Sequence, residues 1–230
     1  ITVLEIAGRH PGRVIPALGI HPWYLDDRTP DALHRLTRLL ADHPEAAVGE
    51  IGLDHAVSPR RDEEQEALFA AQLDLAAEEE RPVSVHCRQA WGRLVELLDT
   101  APRLPPALVI HSYSGPPEMI PRLLPFNVRF SFSGSLTRSQ NRRGQAAAAA
   151  VPADRLLLET DAPDIDPQPD PDPDGRRPVG PPNEPANART VAHRLAALRG
   201  MTVDEIARLT GENARTLFAA DRKEPNRATR

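Results

Sequence analysis

The sequence has a single cysteine in 230 residues, Cys87, so no intramolecular disulfide framework holds it together and a reducing compartment suits it. It has no apolar run near the roughly 18 residues that a membrane span needs. No basic-then-apolar leader opens it, and a cytoplasmic location is expected. It also lacks an excess of positive charge: 28 lysines and arginines stand against 33 acids, for a net charge of −5. That balance excludes a protein that coats nucleic acid through bulk charge, while leaving room for a local basic groove. The first residue is Ile rather than Met, and residues 1–10 read as the tail of a helix already under way, so upstream sequence is expected to be absent.

What the sequence does have is alternation. Short apolar runs over 13–20, 46–51, 82–86, 107–111, 128–132 and 156–159 read as strands. Helical spacing fills the intervals. Thr29-Pro30 sets an N-cap followed by proline, ahead of Leu33, Leu36, Leu39 and Leu40. Ser58-Pro59 opens the next helix, with Asp62-Glu63-Glu64 near its positive end and Leu68, Gln72 and Leu75 down one side. Further helices are predicted over 89–98, 116–124, an alanine-rich 141–150, 184–198 and 202–209, where Thr202 and Glu205 form a capping box. A last one runs from Gly211 or Glu212 to Ala219. A loop over 162–182, dense in Pro and Asp, is expected to be stiff and solvated. Regular strand–helix alternation predicts parallel βα units. Six strands suit an open doubly wound sheet or part of a closed barrel, and periodicity does not choose between them.

The strand ends carry the chemistry. Leu156-Leu157-Leu158 runs into Glu159 and Asp161, two residues apart and so on one side of an extended chain. The other strands end at His21, Glu50, His86, His111 and the Ser133-Gly134 turn. A lone histidine at a strand end is ordinarily a hydrogen-bonded cap, but three of them with Glu50 and Asp161 form a metal-ligand set. Glu50 follows an apolar strand, where an unpaired carboxylate is costly to desolvate. His10, His34, His43, His55 and His193 fall on helices or loops and read as surface residues. Cys87 should point away from His86 into packing, which argues against a Cys–His nucleophile.

These segments, taken in order, resemble one family. The series is Gly19-Ile20-His21-Pro22, Val48-Gly49-Glu50-Ile51-Gly52-Leu53-Asp54, Pro82-Val83-Ser84-Val85-His86-Cys87-Arg88, His111-Ser112-Tyr113-Ser114-Gly115, Phe130-Ser131-Phe132-Ser133-Gly134 and Leu158-Glu159-Thr160-Asp161-Ala162-Pro163. With Asn183-Glu184-Pro185-Ala186 and Glu212-Asn213-Ala214-Arg215-Thr216-Leu217-Phe218, it is similar to the TatD family of metal-dependent deoxyribonucleases. The resemblance implies a TIM-type (β/α)8 barrel of the amidohydrolase kind, with two divalent ions (Mg, Mn or Zn) at the C-terminal ends of its strands. It implies Glu50, His86, His111 and Asp161 as metal ligands, Asp161 also orienting or deprotonating the attacking water. Asp54 and Glu159 would stand behind the ligands, and His21 would face a phosphate or leaving group. Arg88, Arg176 and Arg177 would contact phosphate, and DNA would be the substrate.

The family's opening strand ends in a His-x-His pair, and no such pair occurs here. By resemblance the six strands are therefore strands 3 to 8, residues 1–220 being one incomplete barrel domain and 221–230 a charged tail. A barrel short of two strands has unpaired edges, so the chain alone is expected to aggregate or to pair, with at least one metal site but weak or no nuclease activity. Asp170, Asp172 and Asp174 ahead of Arg176 depart from the family's basic link and weigh against DNA as the polymer. Two other readings follow from the same residues: a same-fold hydrolase of an amide, ester or aminoacyl bond, and a non-catalytic barrel.

Overall fold

The computed structural model describes residues 2–167 and 182–219. Arg176, Arg177, the three aspartates before them and the 221–230 tail lie outside the described residues. Six parallel strands stand in chain order: β1 (Ala17–Leu18), β2 (Ala47–Asp54), β3 (Val83–Arg88), β4 (Leu108–Ile110), β5 (Val128–Phe132) and β6 (Leu156–Leu158). The helices between them are α1 (Val3–Arg9), α2 (Ala32–Asp42), α3 (Asp62–Glu78), α4 (Trp91–Thr100), α5 (Ile120–Leu123) and α6 (Arg142–Ala150), with α7 (Ala188–Arg199) and α8 (Val203–Ala219) after β6. Parallel strands need such crossovers, and sequential order in the sheet means that each βα unit packs beside the last. No helix among the described residues is long and apolar enough to cross a membrane.

One face of the sheet makes the core. Val48, Ile51, Leu53, Val83, Val85, Leu108, Ile110, Val128, Phe130, Phe132 and Leu156 meet Leu40, Phe69, Leu94, Leu123 and Leu195 from the helices. Since Val83, Val85 and Cys87 face that core, alternation turns Ser84, His86 and Arg88 to the opposite face. Cys87 is buried as expected, and burial pushes its thiol far up, so it is inert as a nucleophile.

Several elements differ from their sequence reading for identifiable reasons. The strand expected over 13–20 shrinks to two residues, because Pro16 offers no donor and β1 pairs only with β2. Asp31, not Thr29, sits at the α2 N-cap, and Thr29 Oγ1 donates to Asp31 Oδ1 at 2.6 Å. Helix α1 starts inside the chain on its own capping box, Thr2 with Glu5, rather than as a tail. The helix expected over 116–124 breaks into 3-10 turns around a four-residue α5, since Pro117, Pro121 and Pro125 recur every fourth position and each removes a donor. Conversely, Gly211 does not divide the last segment. α8 runs through it, at a cost of about 1 kcal/mol relative to alanine.

Two buried glutamines fix the strand ends that matter. On the buried face of α3, Gln65 and Gln72 lie seven residues apart, among Leu68, Phe69, Leu73 and Ala76. Gln72 accepts from the Ile20 N–H at 2.7 Å and donates to the Ile20 carbonyl at 3.1 Å. Gln65 does the same for Asp54, at 2.7 and 3.0 Å. Each amide thus satisfies both backbone groups of a residue near the end of a strand, beside His21 and at Asp54. Gly52 lets β2 approach β3 closely there: a Cβ on it would lie 1.9 Å from the His86 carbonyl oxygen. Replacing Gln72 with Leu strands both Ile20 groups in the interior, and about 2–4 kcal/mol of stability should be lost by urea denaturation. A loss under about 0.5 kcal/mol would mean that the clamp carries no weight.

Candidate metal centre

The strand ends converge on one oxygen. Glu50 Oε1 lies 3.1 Å from His86 Nδ1, 3.8 Å from His21 Nε2 and 3.9 Å from His111 Nε2. A register shift delivers it. Val48 pairs with Val83, but Ile51 pairs with Val85, so β2 carries one extra residue at Gly49-Glu50. Such a bulge re-aims a side chain, here a carboxylate turned toward the imidazoles.

The two inner histidines are held alike. His86 faces Glu50 through Nδ1 and Asp54 Oδ2 through Nε2, at 3.0 Å. His111 faces Asp161 Oδ1 through Nε2 and Glu159 Oε2 through Nδ1, both at 2.8 Å. The outer carboxylates are themselves tied down. Asp54, 1% exposed, accepts from the Trp23 indole N–H at 2.7 Å and the Ala56 N–H at 2.8 Å. Glu159 accepts from the Ser112 N–H at 2.7 Å and the Ser131 hydroxyl at 2.6 Å. Strand β6 ends at Leu158 and Asp161 is left-handed, with φ +62°, so the two acids do not lie on an extended chain as expected. They grip opposite nitrogens of one ring instead. Asn183 is buried and secures the Asp161 loop by donating to the Thr160 carbonyl at 2.7 Å and to the Asp164 carbonyl.

Electrostatics follow from this crowding. Burial and the neighbouring His86 lower His21 from the usual 6.5 to about 4. Burial alone would raise Glu50 and Asp54, but the His86 hydrogen bond on Glu50, and the Trp23, Ala56 and His86 bonds on Asp54, hold both below the usual range. Burial opposes a charge on His111, yet its bonds to Asp161 and Glu159 win and raise it to about 11. Among the described residues, no arginine or lysine makes an ion pair with Glu50, Asp54, Glu159 or Asp161; their only partners of that kind are imidazoles. Imidazole nitrogens with several carboxylate oxygens suit a divalent cation, and His21, Glu50 and His86 alone bring their ligand atoms within 4.8 Å of one another.

His21, Glu50, His86, His111, Glu159 and Asp161 therefore meet, with Glu50 inside β2 rather than at its end as expected. Arg88 is exposed at the end of β3 and makes no ion pair with the cluster. Of the histidines read as surface residues, His10, His34 and His193 are exposed, whereas His55 is only 12% exposed and lies 3.8 Å from Asp62. Trp23 and Gln65 escaped the sequence reading, and Gln72 was placed on a helix face without its backbone clamp. Only the Trp-Tyr pair directly after His21-Pro22 could have signalled the first of them. A cavity of about 430 Å³ opens beside His21 and Glu50 along the free edge of β1, and another of about 560 Å³ lies against β6.

A parallel βα sheet with imidazoles and carboxylates gathered on its C-terminal rim defines the α/β metallohydrolase class of architecture. The chain belongs to the TatD related DNase family, whose model matches residues 1–219. It is 37% identical over 219 residues to a Pantoea vagans protein named 3'-5' ssDNA/RNA exonuclease TatD, covering 93% of this chain and 81% of that one. It is 32% identical over 205 residues to the uncharacterized metal-dependent hydrolase YabD of Bacillus subtilis, covering 89% and 77%. Among solved structures, the TatD homologue YjjV of Escherichia coli K12 superposes with a TM-score of 0.83 at 32% identity, over 95% of this chain and 82% of that one.

The shifted groups set a pH profile for the metal-free protein. Unfolded, His21 takes a proton near 6.5, but folded not until about 4, so the unfolded state binds more protons across that window and stability rises with pH. Glu50 and Asp54 act in the same sense at lower pH. His111 keeps its proton to about 11, so the native state binds more protons above 6.5 and stability falls as pH rises through that range. Denaturant midpoints should therefore peak at about pH 6.5, and His111→Gln should flatten the alkaline limb. A wild-type profile that climbs steadily to pH 10 would contradict the arrangement.

Proposed function

We propose that this protein is a metal-dependent hydrolase of nucleic-acid phosphodiester bonds, with DNA as substrate. In this reading Glu50, His86, His111 and Asp161 hold metal, and Asp161 takes the proton of the attacking water. The observation that carries it is the convergence of three imidazoles on Glu50 Oε1, within 3.9 Å, with Asp161 on the same Nε2 of His111 that faces Glu50. The names of the relatives, a ssDNA/RNA exonuclease and a metal-dependent hydrolase, support both halves of the reading. Two divalent ions (Mg, Mn or Zn) are proposed for the intact protein, at least one of them on residues present here.

A divalent ion bound there supplies polarisation of a phosphoryl oxygen and a lowered pKa for water. The residues do the rest. Asp54 accepts the His86 Nε2–H and leaves Nδ1 turned to Glu50, while Glu159 accepts the His111 Nδ1–H and leaves Nε2 turned to Asp161. A carboxylate behind each histidine fixes its tautomer and strengthens it as a donor. His21 accepts the Trp23 N–H on Nδ1 at 3.1 Å, so its neutral ring carries the proton on Nε2, facing Glu50. That proton suits a leaving oxygen better than that nitrogen suits a metal. Arg88, and the arginines 176 and 177, are proposed phosphate contacts.

We also assign the six strands to positions 3 to 8 of a (β/α)8 barrel within one domain over 1–220. The sheet order supports this, because among the described residues β1 and β6 each pair on one side only and a cavity opens along β1. Asp161→Asn should lower kcat on a single-stranded oligonucleotide by about 10²–10⁴ with little change in KM. Glu50→Gln should lose its divalent ion on dialysis. Full turnover after chelation would overturn the proposal. Residues 1–230 alone should self-associate in sedimentation, and a cooperative monomer would contradict the strand assignment.

A further inference from the structure

The chemistry just described leaves two large rings on the rim unused. Trp23 and Tyr24 follow His21 on the turn after β1 and are 53% and 54% exposed. Trp23 is not loose. Its indole N–H donates to Asp54 Oδ2 at 2.7 Å, and its ring meets His21 edge-on at 4.9 Å between centroids and His86 at 5.9 Å. Tyr24 stands 5.9 Å from the same His21 ring. The carboxylate that orients His86 therefore also fixes an indole whose outer part is left in water.

We propose that Trp23, flanked by Tyr24, is a stacking platform for an unpaired nucleobase beside the scissile phosphodiester. This rests on the nuclease reading; the names of relatives already point to a single strand, and what is added is the residue on which a base of that strand, or of a frayed end, would lie. A base inside a duplex is already stacked on both sides, and only an unpaired one can lie on an indole. A ring already held in place gives up little rotamer freedom when a ligand arrives. Two rings beside a polar cluster also suit one flat ligand better than a protein partner, whose interface needs a far broader area. Arg88 ends β3 directly opposite Asp54 in the ladder, exposed and outside the ion pairs, where a guanidinium can take the adjoining phosphate.

The test compares Trp23→Leu with Trp23→Phe in the natural-length protein. Both variants give up the N–H to Asp54, so any structural consequence is shared, and only Phe keeps an aromatic face. The probe is a single-stranded oligonucleotide carrying 2-aminopurine at its terminal base, with phosphorothioate linkages that block cleavage and Mn²⁺ present. Binding should quench the fluorophore in wild type and in the Phe variant, and Leu should bind about 5- to 100-fold more weakly than Phe. An abasic nucleotide at the same position should erase the difference between the two variants. Equal affinities for Leu and Phe, or a difference that survives on the abasic strand, would overturn the platform. Cleavage of an unmodified strand is scored separately. Stacking without cleavage would sink the nuclease reading alone, and cleavage without stacking would sink the platform alone.

Discussion

Four carboxylates crowd the C-terminal rim of the sheet, and among the described residues their ion-pair partners are all imidazoles. Like charges at this spacing and burial are unfavourable unless a cation or a proton intervenes. The metal-free protein meets the condition with a proton, which is why His111 is held charged between Asp161 and Glu159. Much of the surrounding structure serves to keep the acids where they are. The β2 bulge turns Glu50 inward, Gln65 fixes the backbone of Asp54, and Asn183 pins the loop that carries Asp161. A set of groups that repel one another is stable here because the helices and loops leave it nowhere to relax.

What the sequence disclosed and what it hid divide along a physical line. The site residues were legible because an apolar run interrupted or ended by His or Glu states both burial and chemistry in consecutive residues, although β2 runs on past Glu50 to Asp54. Thus His21, Glu50, His86, His111, Glu159 and Asp161 could be singled out one by one. The devices that aim them were not. A bulge is a count of residues on one strand against another, and nothing in Gly49-Glu50 alone declares it. Gln65 and Gln72 occupy helix positions where an apolar residue is the default, and their meaning lies in backbone groups 11 and 52 residues away. The left-handed turn at Asp161 replaced an extended chain, yet both acids still reach His111, because one ring presents two nitrogens on opposite sides.

The misread helices teach the same point from the other side. Periodicity over 116–124 was real, but three prolines at every fourth position withhold the donors that a continuous helix requires. At Gly211 the local signal was a break, and packing on both flanks of α8 carried the helix through it. Local propensity decided the first case because it removed hydrogen bonds outright. It lost the second because the penalty was small beside what the buried face of α8 gains.

The rim's arginines bear on how nucleic acid would be held. Arg28, Arg60 and Arg61, on the loops after β1 and β2, are engaged by Asp26, Asp62 and Glu64, so most of their charge is answered within the protein. Exposed pairs of this kind add little stability, but they do lower the positive potential that a phosphate backbone would meet. With a net charge of −5 and an acidic centre, attraction by bulk charge is unavailable. Affinity must then come from local contacts, an arginine such as Arg88 on a phosphate and contacts that charge does not govern. A fixed indole beside the reacting groups is such a contact, and it favours strands whose bases are free to leave the stack. Charge would hold any duplex, whereas an exposed ring fastened to Asp54 discriminates, so the same carboxylate that orders the histidine would also set the substrate.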